Sequence, residues 1–205
     1  MNLTPQNPYK STTVTFTGHR PNKLAATSGA AYKQSHYELF QPALANALEA
    51  YLSIGIDTFI TGGAQGFDQL VFWAVHELKN RYPEKTIRNI VYIPFHGQES
   101  IWRGNDIFGP NNYRKMLELA DSTEYCTDID NSAEKSQIAQ ALDYRNHCMC
   151  LSSSRLCSLW SEDEINNGRL TKGGTANCVN FAASQNMYCD KLVYGFDKNG
   201  RIILV

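Results

Sequence analysis

The sequence predicts an α/β protein, a mainly parallel sheet with helices on both faces and a β-hairpin at its C-terminus. Three observations predict it. Short β-branched and aromatic runs alternate with longer stretches of helical period. Polar or glycine-rich turns follow several of the strand-like runs and lead into helices. Near the C-terminus the alternation stops, and two apolar runs flank Asp197-Lys198-Asn199-Gly200, a polar turn that suits an antiparallel hairpin.

The elements follow in order. Residues 1–11 read as a polar arm and 12–205 as one domain, with no linker, repeat or low-complexity stretch. Thr12 to Phe16 has the content of a strand and stops at Gly18. Ser35 to Leu52 spaces Leu39, Phe40, Ala43, Leu44, Ala47, Leu48 and Tyr51 as one helix face, and Gly55 follows where such a helix closes. Ile56 to Ile60 is a strand before Gly62-Gly63, and Phe67 to Leu78 a helix. Ile87 to Ile93 is a strand stopped by Pro94, which lacks the amide donor a central strand needs. Tyr113 to Ala120 (helix), Ser122 to Cys126 (strand), Ala133 to Leu151 (helix) and Leu156 to Trp160 (strand) continue the alternation. Glu162-Asp163-Glu164 reads as a solvated loop able to order over a pocket. A helix from Thr175 to Ser184 precedes the hairpin strands Lys191 to Phe196 and Arg201 to Val205.

Composition narrows the function. The chain of 205 residues carries 19 Lys plus Arg against 20 Asp plus Glu, a formal charge of −1, which gives no overall positive field for nucleic-acid phosphates. No apolar run is long enough to span a bilayer and the first residues lack the centre of a signal peptide, so a cytoplasmic protein is expected. The cysteines Cys126, Cys148, Cys150, Cys157, Cys178 and Cys189 are expected as reduced thiols. Cys148-x-Cys150 does not have the spacing of a zinc site, and no metal or cofactor is expected.

In a parallel sheet, ligands sit beyond the carboxyl ends of the strands, where several polar motifs fall here. Thr17-Gly18-His19-Arg20-Pro21 supplies a hydroxyl, an open backbone point, an imidazole and a permanent cation, groups suited to a phosphorylated ligand. Arg20 has the alternative of pairing with a carboxylate of the fold, and His19 that of a structural histidine. In Thr61-Gly62-Gly63-Ala64-Gln65-Gly66-Phe67-Asp68, Gly62, Gly63 and Gly66 let backbone amides approach an anion at a helix start, or else form a tight turn with Asp68 favouring the helix N-terminus. The pattern is neither a dinucleotide fingerprint nor a phosphate loop. Lys172-Gly173-Gly174-Thr175 is a second such turn, with Thr175 as helix cap its simpler role. Trp102, beside Arg103, can stack on a base, while Arg145 and Asn146 can hold its polar edges; a core lid and a helix salt bridge are the alternatives.

Taken together, T-G-H-R-P, T-G-G-A-Q-G-F-D, I-P-F, Y-R-N and G-G-T occur in an order that resembles the SMF/DprA and Lonely Guy superfamily, SLOG, in its YpsA/YoqJ-type branch, from about Thr12 to Tyr194. The resemblance implies a Rossmann-like, nucleotide-binding sheet with Gly62, Gly63, Gly66 and Gly173 to Thr175 about the phosphate and ribose. Lonely Guy enzymes hydrolyse a nucleoside monophosphate with a glutamate following G-T. Here Ala176-Asn177-Cys178 follow, so hydrolysis needs another carboxylate, for which Asp68 and Glu99 are the candidates.

The expected function is therefore binding, as sensor or sequestering module, of a nucleotide or an NAD-derived or cyclic nucleotide signal. Arg20 adds charge to the glycine amides, Asp68 accepts from a ribose hydroxyl, and Asn146 contacts base or ribose. Some SLOG relatives serve bacterial defence or phage conflict, which makes a counter-defence sponge a specific form of this expectation. The alternatives are a phosphoribohydrolase, and a regulatory module recognising single-stranded nucleic acid or a protein, though the near-neutral charge disfavours nucleic acid as a partner. Apolar helix faces and the habit of relatives make a homo-oligomer, a dimer, the expected assembly.

Overall fold

The structure is a computed structural model that describes residues 7–24, 34–102, 107–168 and 173–205, with the side chains of 34–39 excepted. The strands β1 (Thr13–Thr17), β2 (Thr58–Thr61), β3 (Arg88–Ile93), β4 (Ser122–Tyr125), β5 (Arg155–Ser161), β6 (Tyr188–Phe196) and β7 (Ile202–Leu204) form one sheet in the order β4-β3-β2-β1-β5-β6-β7. All neighbours are parallel except β6 and β7, which pair antiparallel with Gly195 opposite Ile203. The parallel sheet and the C-terminal hairpin are as the sequence predicts. Asp197 fixes the turn by accepting the backbone N–H groups of Asn199 and Arg201, both at 2.9 Å.

Strand side chains alternate between two layers of helix. Val14, Phe16, Phe59, Cys157 and Leu159 pack with α1 (Gln34–Ser53) and α2 (Phe67–Arg81), and Val91 and Ile93 pack with α3 (Pro110–Leu119). On the other face Ile60 and Tyr92 meet Cys148 and Met149 of α4 (Lys135–Leu151), while Leu156 meets Cys150 of α4 and Cys178 of α6 (Gly174–Ser184). Thr15, buried in β1, places its hydroxyl on the Ile60 carbonyl at 3.2 Å, which removes the cost of a polar group in the core.

Two differences from the sequence expectation have clear causes. Helix α3 starts three residues early because Pro110 fits the first helical position, where its missing N–H costs nothing. The acidic run at Glu162 is not a solvated loop but the short helix α5 (Glu162–Asn166): Ser161 Oγ accepts from Glu164 N at 3.2 Å, and the Glu164 carboxylate faces back to Ser161 N.

Chain order positions the site. Strands β1 to β4 are laid outward in one direction, and β5 returns to the other side of β1. A crevice opens at the carboxyl ends of β1 and β5, where connections depart to opposite faces.

Candidate functional site

A cleft of about 300 Å³ lies at this reversal. Thr17 to Arg20 after β1 form one wall, Ala64 and Asp68 after β2 another. Arg145, Asn146 and Met149 on α4, Trp160 at the end of β5, and Gly173 to Thr175 at the start of α6 complete it. Its size falls at the lower end of small-molecule sites.

At the floor, Arg145 and Asp68 are both buried, with Arg145 Nη1 3.8 Å from Asp68 Oδ2. The same nitrogen donates to the Gly62 carbonyl at 2.5 Å, and Arg145 Nε donates to Asn146 Oδ1 at 3.0 Å. Asp68 accepts the Ala64 N–H at 3.3 Å. Burial raises the Asp68 pKa above the usual carboxylate range; the charges of Arg145 and Arg20 and the backbone N–H groups of Ala64 and Gly62 oppose that rise without cancelling it. The pair thus holds a carboxylate acceptor at the cleft wall, fit to receive a hydroxyl. Asn146 has its oxygen committed to Arg145 and its amide nitrogen without a partner among the described residues.

Above the floor, His19 sits in a network. Its Nδ1 is 3.0 Å from Tyr194 Oη and its Nε2 is 3.0 Å from Glu164 Oε2, whose other oxygen takes Lys23 Nζ at 2.6 Å. Burial lowers the His19 pKa to about 4, against the raising effect of Glu164. Neutral His19 therefore donates from Nε2 to Glu164 and leaves Nδ1 as an acceptor, where the Tyr194 hydroxyl, 3.0 Å from Nδ1 and also 3.0 Å from the Lys23 carbonyl, divides its one proton between the two. Trp160 meets the imidazole edge-on, with centroids 6.2 Å apart, and donates its indole N–H to Ser158 Oγ at 2.8 Å. Arg20 is exposed and, among the described residues, makes no side-chain hydrogen bond or ion pair.

The structure brings Thr17, Gly18, His19, Arg20, Asp68, Arg145, Asn146, Gly173, Gly174 and Thr175 to one cleft. Gly62, Gly63 and Gly66 lie behind its walls. A Cβ at Gly66 would stand 2.4 Å from the His19 carbonyl oxygen, and one at Gly63 2.9 Å from the Tyr113 ring. These glycines let the turns pack against each other and against Tyr113. Trp102 meets Tyr113 edge-on at 5.0 Å, and Glu99 stands 4.0 Å from Arg114; neither reaches the cleft. Lys172 and Arg103 lie outside the described residues.

Sequence reasoning missed Ala64, Met149, Trp160, Asn22, Lys23 and Glu164. Two signals were available. Met149 lies four residues after Arg145, on the same helix face, and Ser161-x-x-Glu164 has the spacing of a capping box.

Among the described residues no group of three or more His, Cys, Asp or Glu side chains could hold a metal ion, and all six cysteines are free thiols. No helix among them is long and apolar enough to cross a membrane.

A family model described as the YspA SLOG family, YpsA, matches residues 14–194. The uncharacterized SPbeta prophage-derived protein YoqJ of Bacillus subtilis (strain 168) is 33% identical over 129 residues, 60% of this chain and 68% of that one. The crystal structure of DNA processing protein A (DprA) from Streptococcus pneumoniae superposes with a TM-score of 0.53 at 12% identity, over 92% of this chain and 52% of that one. The chain thus spans about half of that protein, and at this identity the likeness is one of fold.

Proposed function

Because the chain belongs to the YspA SLOG family, we propose that it binds a phosphate-bearing, nucleotide-derived molecule in the cleft and holds it unaltered, as a sensor or a sequestering module. One observation carries this. The cleft joins Arg20, a cation with no hydrogen-bond or salt-bridge partner among the described residues, with the start of α6, where no described atom lies within 4 Å of a Cβ built on Gly173 or Gly174. Packing explains the glycines of the other turn and does not explain Gly174. Backbone amides opening a helix in a cleft that also carries a guanidinium suit a phosphate, and a missing side chain lets it approach closely. Asp68 then accepts from a sugar hydroxyl, while the free amide of Asn146 and the face of Met149 serve the base.

Binding is favoured over hydrolysis by the state of the carboxylates. Position 176, after Gly174-Thr175, is a buried alanine. Asp68 is held by Arg145 and a backbone N–H, and Glu164 by His19 and Lys23. Glu99, the other catalytic candidate, stands beside Arg114 away from the cleft. Each of the three faces a cation or donor of the protein, which supports binding over activation of water. The prophage origin of the YoqJ relative supports a ligand that signals between phage and host.

The test is thermal shift with adenine, guanine and NAD-derived nucleotides, cyclic forms included, followed by chromatography of the same samples. Stabilisation by a compound recovered intact supports binding. Free base or ribose phosphate accumulating in proportion to protein would replace this reading with a hydrolase, and no shift with any compound would remove the nucleotide site.

A further inference from the structure

Arg20 is not the only nitrogen donor at the cleft. Lys23 and His19 line it too, yet both are occupied by one carboxylate, Glu164. The two oxygens of Glu164 divide the work, with Oε1 2.6 Å from Lys23 Nζ and Oε2 3.0 Å from His19 Nε2. Two donors, each taking one oxygen of a planar anion, make the arrangement in which two oxygens of a phosphate sit equally well. The Glu164 side chain is 13% exposed and that of Lys23 is 53% exposed, so one donor of the seat stays open to solvent while the occupant comes from the protein side.

We propose that Lys23 and His19 form a second anion seat in the cleft that Arg20 and Gly174 also line, and that Glu164 fills it, so that the cleft admits a ligand with a single phosphate and rejects one with two adjacent phosphates. The inference rests on the anion-binding reading of the cleft given above. The physical argument is one of occupancy and charge. A carboxylate already satisfies both donors, and a second phosphate arriving there would have to displace it or lie against a like charge at short range. Neutral His19 contributes a donor and no charge, so Lys23 is the single cation of the seat, balanced one for one by Glu164. The capping role of Glu164 does not need its charge: it is the third residue of α5 and closes the capping box that Ser161 opens, a position that glutamine fills as well.

That equivalence makes Glu164→Gln a clean probe, since it removes the occupying charge and keeps the cap. Calorimetric titration with inorganic phosphate and inorganic pyrophosphate would compare wild type, Glu164→Gln and Glu164→Gln/Lys23→Met. Wild type is expected to bind phosphate and to disfavour pyrophosphate. Glu164→Gln should gain about tenfold or more for pyrophosphate over phosphate, the scale of one charge-assisted hydrogen bond, and the added Lys23→Met should cancel that gain. If Glu164→Gln does not fold, Glu164→Asp, which draws the carboxylate back by one methylene, should show a smaller gain in the same direction. Phosphate binding with an unchanged preference in the folded variants would overturn the seat alone. Binding of neither anion by any variant would overturn the anion-binding cleft and the seat with it.

Discussion

The guanidinium of Arg145 fills the space above residue 62: a Cβ on Gly62 would lie 1.7 Å from Arg145 Nη1, the nitrogen that donates to the Gly62 carbonyl. The turn after β2 and the middle of α4 are thereby locked together across the floor of the cleft. Asp68 completes the arrangement 3.8 Å away, so a buried cation, a buried carboxylate and a carbonyl depend on one another.

Removing the cation should expose that dependence. Arg145→Met leaves the Asp68 carboxylate buried without its nearest counter-charge, for which about 3 to 5 kcal/mol of stability is expected to be lost in urea unfolding. Adding Asp68→Asn should recover more than half of the loss, because no unpaired charge is then left in the floor. Costs that simply add would mean that the two groups do not act on each other.

Glycine substitutions should separate structural from ligand-facing turns. Gly66 has φ +96° and a Cβ there would stand 2.4 Å from the His19 carbonyl oxygen, a backbone atom that cannot swing aside. Gly66→Ala should cost about 2 kcal/mol or more by strain and overlap together. Gly174 is helical and meets no described atom within 4 Å, so Gly174→Ala should leave the melting temperature unchanged or slightly higher while weakening phosphate binding. Equal affinity in wild type and Gly174→Ala would mean that no ligand approaches that backbone.

The contrast between these glycines also marks how far the sequence could be read. Alternating apolar periods and strand-terminating turns were enough for the parallel sheet, the hairpin and the convergence of T-G-H-R-P with G-G-T, because these follow from local pattern and from the rule that ligands sit beyond strand ends. The jobs of individual glycines were not legible. Gly62 is glycine because of Arg145, a residue 83 positions away, and Gly66 because the β1 turn crosses it. Trp102 and Glu99 looked like pocket groups only by residue type, and the chain takes them to Tyr113 and Arg114. The reverse holds for Glu164. It sits in a run of three acidic residues that reads as solvated surface, and its destination is set by a helix cap and two partners more than 140 positions distant.

Arg20 offers the simplest test of the cleft. Being exposed and without a side-chain partner among the described residues, it contributes little to stability, and Arg20→Gln should shift unfolding by no more than about 0.5 kcal/mol. Loss of a charged donor to phosphate should lower affinity about tenfold and flatten its dependence on salt. Calorimetry at two ionic strengths reads both. An unfolded variant, or full affinity at both strengths, would take Arg20 out of the site.

His19 should give the fold a pH dependence of defined sign. Its pKa falls from 6.5 in the unfolded chain to about 4 in the folded one, through burial that outweighs the pull of Glu164. Between those values the unfolded state binds more protons, so the contribution of His19 is complete above pH 6.5 and is lost as pH falls toward 4. Two and a half pH units set a ceiling of about 3 kcal/mol. Glu164, held below its ordinary range because Lys23 and His19 outweigh its burial, loses its contribution in the same direction at still lower pH. Asp68 acts oppositely, since a raised carboxyl pKa favours the fold at low pH and ceases to do so as pH rises through it. Comparing wild type with His19→Gln cancels Asp68, which both carry. Urea unfolding at intervals from pH 7.5 to 4.5 should show wild type losing stability faster than His19→Gln as the pH falls. Parallel curves would mean that His19 has the same pKa folded and unfolded, so that burial does not disfavour its charged form, and wild type gaining stability instead would mean that His19 is protonated in the fold, with both ring nitrogens donating.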